Sequence, residues 1–186
     1  MSAATFAKGW DRVKLYFMIG LPTERDDDIH AIADLTLRTL DVGKEHNRRA
    51  KVNTGVSTFV PKPFTPFQWA AQIDLGETER RQDLLSARFR DVPGVKFGRH
   101  EPQTTFLEGL VSRADRRAGD LLERAWELGC RFDAWDEHLR FDLWQQAIED
   151  LDYDVAFEFR ERALDERLPW DHIDIGMKPE WLWDDW

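Results

Sequence analysis

The segment Lys14-Leu-Tyr-Phe-Met-Ile-Gly-Leu-Pro-Thr-Glu24 constrains the fold more than any other stretch of this chain. It reads as a buried strand that ends in a glycine–proline turn and passes into a helix with an acidic first turn. Val13, Leu15, Phe17 and Ile19 alternate with Lys14, Tyr16 and Met18, and all but Lys14 are apolar or aromatic. A strand apolar on both faces belongs in the middle of a parallel sheet covered on both sides. Loops at the C-terminal ends of such strands are where α/β enzymes bring backbone amides and carbonyls to a small ligand. Thr23 reads as the N-cap of the following helix, and Glu24, Asp26, Asp27 and Asp28 suit its positive end. Ile29, Ile32, Ala33, Thr36, Leu37 and Leu40 supply an apolar stripe that Gly43 closes.

Lys51 to Val60 is rich in β-branched residues and reads as the next strand, so that strand, helix and strand form a right-handed βαβ unit. Pro61, Pro63 and Pro66 then force a stiff, extended exit across the C-terminal edge of the sheet. The pattern next predicts a helix from Glu77 to Asp91 and, after Pro93-Gly94, a short edge strand at Val95–Phe97. Helical periodicity follows at Phe106–Arg113, Arg116–Leu128, Phe141–Leu151 and Val155–Leu164. Leu168 to Trp186 reads as an irregular strap. The expected fold class is α/β and then mostly α, over residues 1–75 and 76–186, with no repeat and no flexible linker between them.

A hydrophobic content of 42% is enough for a packed core, and 33% charged residues with no signal-peptide pattern point to the cytoplasm. No run of about 18 apolar residues is present, so no membrane partner is expected. A net charge of −10 disfavours a nucleic-acid partner. Arg80, Arg81, Arg88, Arg90, Arg113, Arg116 and Arg117 lie close in sequence, but among so many carboxylates they read as a solvated face. The single cysteine, Cys130, excludes an internal disulfide and any all-cysteine metal or cluster site within one chain; it reads as a buried thiol at a helix end. Trp126, Trp135, Trp144, Trp170, Trp181, Trp183 and Trp186 crowd the C-terminal part, as the core of a helical region or as an interface.

Three ordered segments carry a family resemblance. Gly9-Trp-Asp-Arg-Val-Lys-Leu-Tyr-Phe-Met-Ile-Gly-Leu-Pro-Thr-Glu24 resembles the fifth barrel strand of radical S-adenosylmethionine (radical SAM) proteins, in particular a branch that carries an N-terminal cobalamin-binding domain. Ser57-Thr-Phe-Val-Pro-Lys-Pro-Phe-Thr-Pro-Phe-Gln-Trp69 is similar to the sixth strand and its exit, and Phe106-Leu-Glu-Gly-Leu-Val-Ser-Arg-Ala-Asp-Arg-Arg117 to a helix that follows the barrel. The resemblance continues through Leu168-Pro-Trp-Asp-His-Ile-Asp-Ile-Gly176.

It implies that residues 1–75 are the last strands of a partial (β/α) barrel and residues 76–186 a helical C-terminal extension. It also implies a site for S-adenosylmethionine built by Ile19, Gly20, Leu21, Pro22 and Glu24, with backbone groups from Val60 and Pro61. In that reading Gly20 allows close backbone approach, Ile19 offers an apolar face for adenine, and Glu24 orients the turn or caps its amides. The family binds a [4Fe–4S] cluster through a Cys-x3-Cys-x2-Cys loop, and this chain has no such loop. The expectation is therefore a C-terminal fragment whose cluster ligands and cobalamin domain lie in a missing N-terminal portion. That portion is its expected partner; the fragment is not expected to be active alone, and self-association is expected when it is isolated.

His30, His46, His100, His138 and His172 show no two-histidine helical spacing, so no metal ligands are assigned. Gly-x-Ser-x-Gly, Walker and Gly-x-Gly-x-x-Gly motifs are absent, and no catalytic residue is assigned. Arg113 and Asp115 read as a local ion pair or as a cap of the next helix. The alternative to the enzyme fragment is a non-catalytic interaction module that binds a partner protein through the tryptophan-rich tail.

Overall fold

Three strands, β1 (Arg12–Ile19), β2 (Lys51–Thr58) and β3 (Val95–Arg99), align in parallel in the order β1-β2-β3. Val13 pairs with Val52 and Phe17 with Val56, while Val56 pairs with Arg99 on the other side. The computed structural model describes residues 2–185. It is a mixed α/β structure in two compact units, residues 1–59 with 76–100, and residues 60–75 with 101–186. The chain passes between units after Phe59, Leu75 and His100, where the sequence shows one change of architecture near residue 75. No helix among the described residues is long and apolar enough to cross a membrane.

In the first unit the helices α1 (Ser2–Ala7), α2 (Asp26–His46) and most of α3 (Leu75–Phe89) accompany the sheet. Ile19 and Val56 pack against Ile29, Ile32 and Ala33 of α2 and against Leu85 and Phe89 of α3. Ile19, Ile29 and Leu85 have no exposed surface, so each contributes about 1.5–3 kcal/mol of hydrophobic stabilisation. A buried hydroxyl pair ties the layers together: Thr36 Oγ1 donates to Ile32 O at 3.0 Å and meets Thr54 Oγ1 at 3.0 Å.

The other face of the sheet is open. Lys14, Tyr16 and Met18 of β1 lie in register with Asn53, Gly55 and Ser57 of β2, and Tyr16 and Met18 are 71% and 45% exposed. This corrects the expectation of a central strand covered on both sides. Here β2 takes the middle, β1 is an edge, and the alternation of β1 sorts its residues into one covered and one open face.

Two further corrections concern α2. Thr23 sits in the left-handed region at φ 65° and does not cap the helix. Arg25 is the extended residue before the first turn, and the Asp28 carboxylate accepts its N–H at 2.9 Å. Gly43 does not end α2 either; it lies inside the last turns, where the Phe6 ring of α1 and Ala50 press against it.

The second unit contains a 3-10 turn at Pro66–Trp69 and the helices α4 (Pro102–Arg113), α5 (Ala118–Leu128), α6 (Phe141–Asp150), α7 (Val155–Phe159) and α8 (Pro179–Asp184). Its main core joins Leu107 and Leu110 of α4, Leu121 and Ala125 of α5, and Phe141 and Trp144 of α6. Gly129 ends α5 at φ 112°, and Cys130 behind it is buried, its thiol pushed up by burial, as an inert structural thiol should be. The α7 helix stops at Phe159 instead of continuing to Leu164.

The C-terminal strap is partly ordered into α8, and Leu168, Trp170 and Leu182 pack with Trp69 of the same unit. The tail tryptophans therefore divide: Trp170 is core, Trp181 is exposed, and Trp186 lies outside the described residues.

Arg113 is wholly buried and does not pair with Asp115. It donates to three carbonyls, from Nε to Glu158 O at 2.6 Å, from Nη1 to Ala70 O at 2.7 Å and from Nη2 to Arg160 O at 2.8 Å. The charge is balanced nearby by buried Glu158, whose Oε2 accepts from Arg162 at 2.9 Å. Burial pulls the Arg113 guanidinium down to about 10, with Arg162 adding to the shift, and burial pushes the Glu158 carboxyl up. Asp115 instead turns onto Arg117, just before α5, accepting its N–H at 2.8 Å and its Nε at 2.9 Å, and does not cap the helix.

Candidate functional site

The glycine–proline turn at the end of β1 is held by its own hydrogen bonds and by α3. Ile19 ends the strand, and its carbonyl accepts the Phe59 N–H at 2.7 Å, which extends the β1–β2 ladder one residue beyond β2. Gly20 then adopts φ 85°, a backbone conformation that any side chain would strain. The chain folds back within four residues: the Glu24 N–H reaches Leu21 O at 3.2 Å, and Glu24 Oε2 accepts the Gly20 N–H at 2.6 Å.

That same carboxylate oxygen pairs with Arg81 Nη1 of α3, with both side chains largely buried. Arg81 Nε donates in turn to Glu77 Oε1 at 2.6 Å. Arg80 extends the chain of charges by bonding Glu77 at 2.7 Å and Asp26 at 2.7 Å and 2.9 Å. The Glu77 carboxyl is held down at about 2, first by the hydrogen bond from Arg80 and then by Arg81. A continuous network thus fixes the turn to the start of α2 and the first turns of α3. Its Glu24–Arg81 link is largely buried, where charge-assisted bonds hold geometry best, while Arg80 and Asp26 are partly exposed.

Ile19, Gly20, Leu21, Pro22 and Glu24 are therefore brought together as one braced turn. Their exposure differs. The Ile19 side chain is wholly committed to the sheet–helix core, so its face is not available to a ring, while Leu21 is exposed and Pro22 half-buried. Glu24 fixes the turn through Oε2, which the Gly20 N–H and Arg81 share. Val60, half-buried, and Pro61, buried, belong to the second unit, at the start of the proline-rich exit. Further along that exit Gln68 Oε1 accepts from Phe64 N at 3.1 Å and from Trp170 Nε1 at 2.7 Å.

Sequence reasoning missed Arg81 as part of the turn. Its pairing with Glu77 is legible from the spacing of four on a helix, but nothing in the sequence shows its reach to Glu24, 57 positions earlier.

Ligation of an iron–sulfur cluster does not fit this chain's own residues, since its one cysteine is buried with a raised pKa. Among the described residues no three or more His, Cys, Asp or Glu side chains are grouped to hold a metal ion.

No protein-family model matches the chain, and no solved structure matches it. The chain is similar to an uncharacterized protein of Methanocaldococcus jannaschii, 30% identical over 115 residues. The match covers 62% of this chain and 24% of that protein, so the chain spans about a quarter of its relative's length.

Proposed function

We propose that this chain is the C-terminal part of a radical SAM enzyme of the cobalamin-associated branch, supplying the last strands of its barrel, part of the rim that binds S-adenosylmethionine and a helical C-terminal region. One observation carries the reading: a braced glycine–proline turn stands at the C-terminal end of a parallel strand whose outer edge is unpaired among the described residues. An unpaired parallel edge takes a further strand readily, and the open face bearing Tyr16 and Met18 is of the kind that a closed barrel encloses. The archaeal relative, of which the match covers 24%, supports a place within a longer protein.

In the complete enzyme a cysteine loop outside this chain would hold a [4Fe–4S] cluster, which would supply the electron for cleavage of S-adenosylmethionine. This chain's residues position the ligand. Gly20, Leu21 and Pro22 shape the rim, and Glu24 fixes it through the Gly20 amide. Cobalamin, if the enzyme uses it, binds a domain outside this chain, and the chain alone is inactive. Its compartment is the cytoplasm.

Co-expression with a polypeptide that carries the earlier strands and the Cys-x3-Cys-x2-Cys loop tests the reading. A stable complex that binds S-adenosylmethionine, more weakly in Gly20→Val, is expected. No complex with any such polypeptide overturns it.

A second reading is a non-catalytic interaction module. It rests on Trp126 and Trp135, which are 59% and 61% exposed, and on Trp181, while Trp170 is spent on the core. It predicts that Trp126→Ser with Trp135→Ser abolishes partner capture while leaving the fold intact; capture retained by that variant sinks it.

A further inference from the structure

A cleft of about 570 Å³ in the second unit is lined by Asp115, Arg116, Arg167, Leu168, Pro169 and His172. Its arginines stand apart from the others of the unit. From Arg113 to Arg162, every other arginine there bonds a carboxylate or a backbone carbonyl. Arg116 and Arg167 are exposed, and their guanidinium groups make no hydrogen bond or ion pair among the described residues. Both face one cleft.

The single carboxylate lining that cleft is already engaged. Asp115 Oδ1 accepts the Arg117 N–H at 2.8 Å and Arg117 Nε at 2.9 Å, and those bonds hold its carboxyl below the usual range. The walls are held from behind. On one side, the buried Arg113 clamp anchors the chain three residues before Arg116. On the other, Asp171 Oδ2 accepts the Leu168 N–H at 2.7 Å, and Leu168 and Trp170 are buried. His172 Nδ1 lies 3.0 Å from Pro169 O and donates to it, which leaves Nε2 as the polar atom still free on that ring.

We propose that this cleft binds a small phosphorylated ligand, with Arg116 and Arg167 gripping the phosphate oxygens and His172 Nε2 accepting a hydrogen bond from a hydroxyl of the organic group. Two unpaired guanidinium forks facing one cavity match a dianion with several oxygens better than a single carboxylate. The cavity volume admits an organic group beside the phosphate. A net charge of −10 repels an extended polyanion yet leaves a local two-arginine site intact, which favours a small ligand over nucleic acid. The site is independent of the S-adenosylmethionine reading and stands or falls separately.

Titration of inorganic pyrophosphate into the full chain, followed by calorimetry, tests this. Saturable 1:1 binding is expected. It should weaken at least about tenfold in Arg116→Gln and in Arg167→Gln and be unchanged in Arg90→Gln, which removes an exposed arginine of the first unit. Arg116 and Arg167 are exposed, so unchanged thermal unfolding of the variants checks their folding. Three results overturn the proposal: no saturable binding at millimolar pyrophosphate, equal binding by the double variant, or an oligonucleotide that binds tightly where pyrophosphate does not.

Discussion

The Glu24 carboxylate accepts the Gly20 amide at 2.6 Å across a turn in which Gly20 sits at φ 85°, and Arg81 of α3 holds the same carboxylate oxygen. The candidate rim is thus part of the α3 framework as much as of the strand that precedes it. Replacing Glu24 by Gln keeps an acceptor for Gly20 but leaves the Arg81 charge with Glu77 alone. The expected cost is about 1–3 kcal/mol in denaturant unfolding. Glu24→Ala should cost more, since the Gly20 N–H then also loses its partner. Unfolding midpoints of both variants equal to that of the wild type would contradict this account of the turn.

Glu77 gives the first unit an acid dependence. Its carboxyl is held at about 2 against an ordinary 4.5, so the folded state binds the proton less readily than the unfolded one. The associated stability is fully present above the ordinary value and is lost as pH falls toward about 2. Wild type and Glu77→Gln should differ most near neutrality and converge across that window, measured by denaturant unfolding at several pH values. A constant gap would show that the Arg80 and Arg81 contacts do not tune this carboxyl.

Arg113 predicts the largest single loss. Arg113→Met removes the donors to Ala70 O, Glu158 O and Arg160 O and reduces the positive charge around buried Glu158. A cost of about 3–5 kcal/mol is expected, enough to unfold a marginal domain. Arg113→Lys should recover only part of it, because an ammonium lacks the planar fork. A lysine variant as stable as wild type in thermal unfolding would refute the three-carbonyl clamp.

Much of the fold is legible in the sequence because it rests on local pattern. Alternation in Val13–Ile19, the β-branched run at Lys51–Thr58 and helical stripes such as that of Ile29 to Leu40 define the sheet and its main helix. What escapes is set by distant partners. Nothing near Arg81 or Arg113 tells a solvated arginine from one that reaches a carboxylate or three carbonyls far away in the chain. Thr23 has the chemistry of an N-cap, but the Gly20–Glu24 bond bends the turn so that Thr23 falls in the left-handed region and the helix starts later. Met18 and Tyr16 likewise look buried by composition and lie open in the structure, because β1 is an edge strand whose alternation leaves them on the uncovered face.

That open face and the edge of β1, unpaired among the described residues, predict self-association of the isolated chain. Sedimentation should show concentration-dependent oligomers that Tyr16→Lys with Met18→Lys reduces. A monodisperse monomer over the same concentrations would argue that no further strand is needed.

The most direct test of the central claim is anaerobic reconstitution of the chain together with a polypeptide carrying the earlier strands and the cysteine loop. The joined protein should show the broad visible absorption of a [4Fe–4S] cluster and release 5′-deoxyadenosine from S-adenosylmethionine under reduction, and this chain alone should do neither. A joined, folded protein that takes up a cluster but never binds or cleaves S-adenosylmethionine would contradict the account.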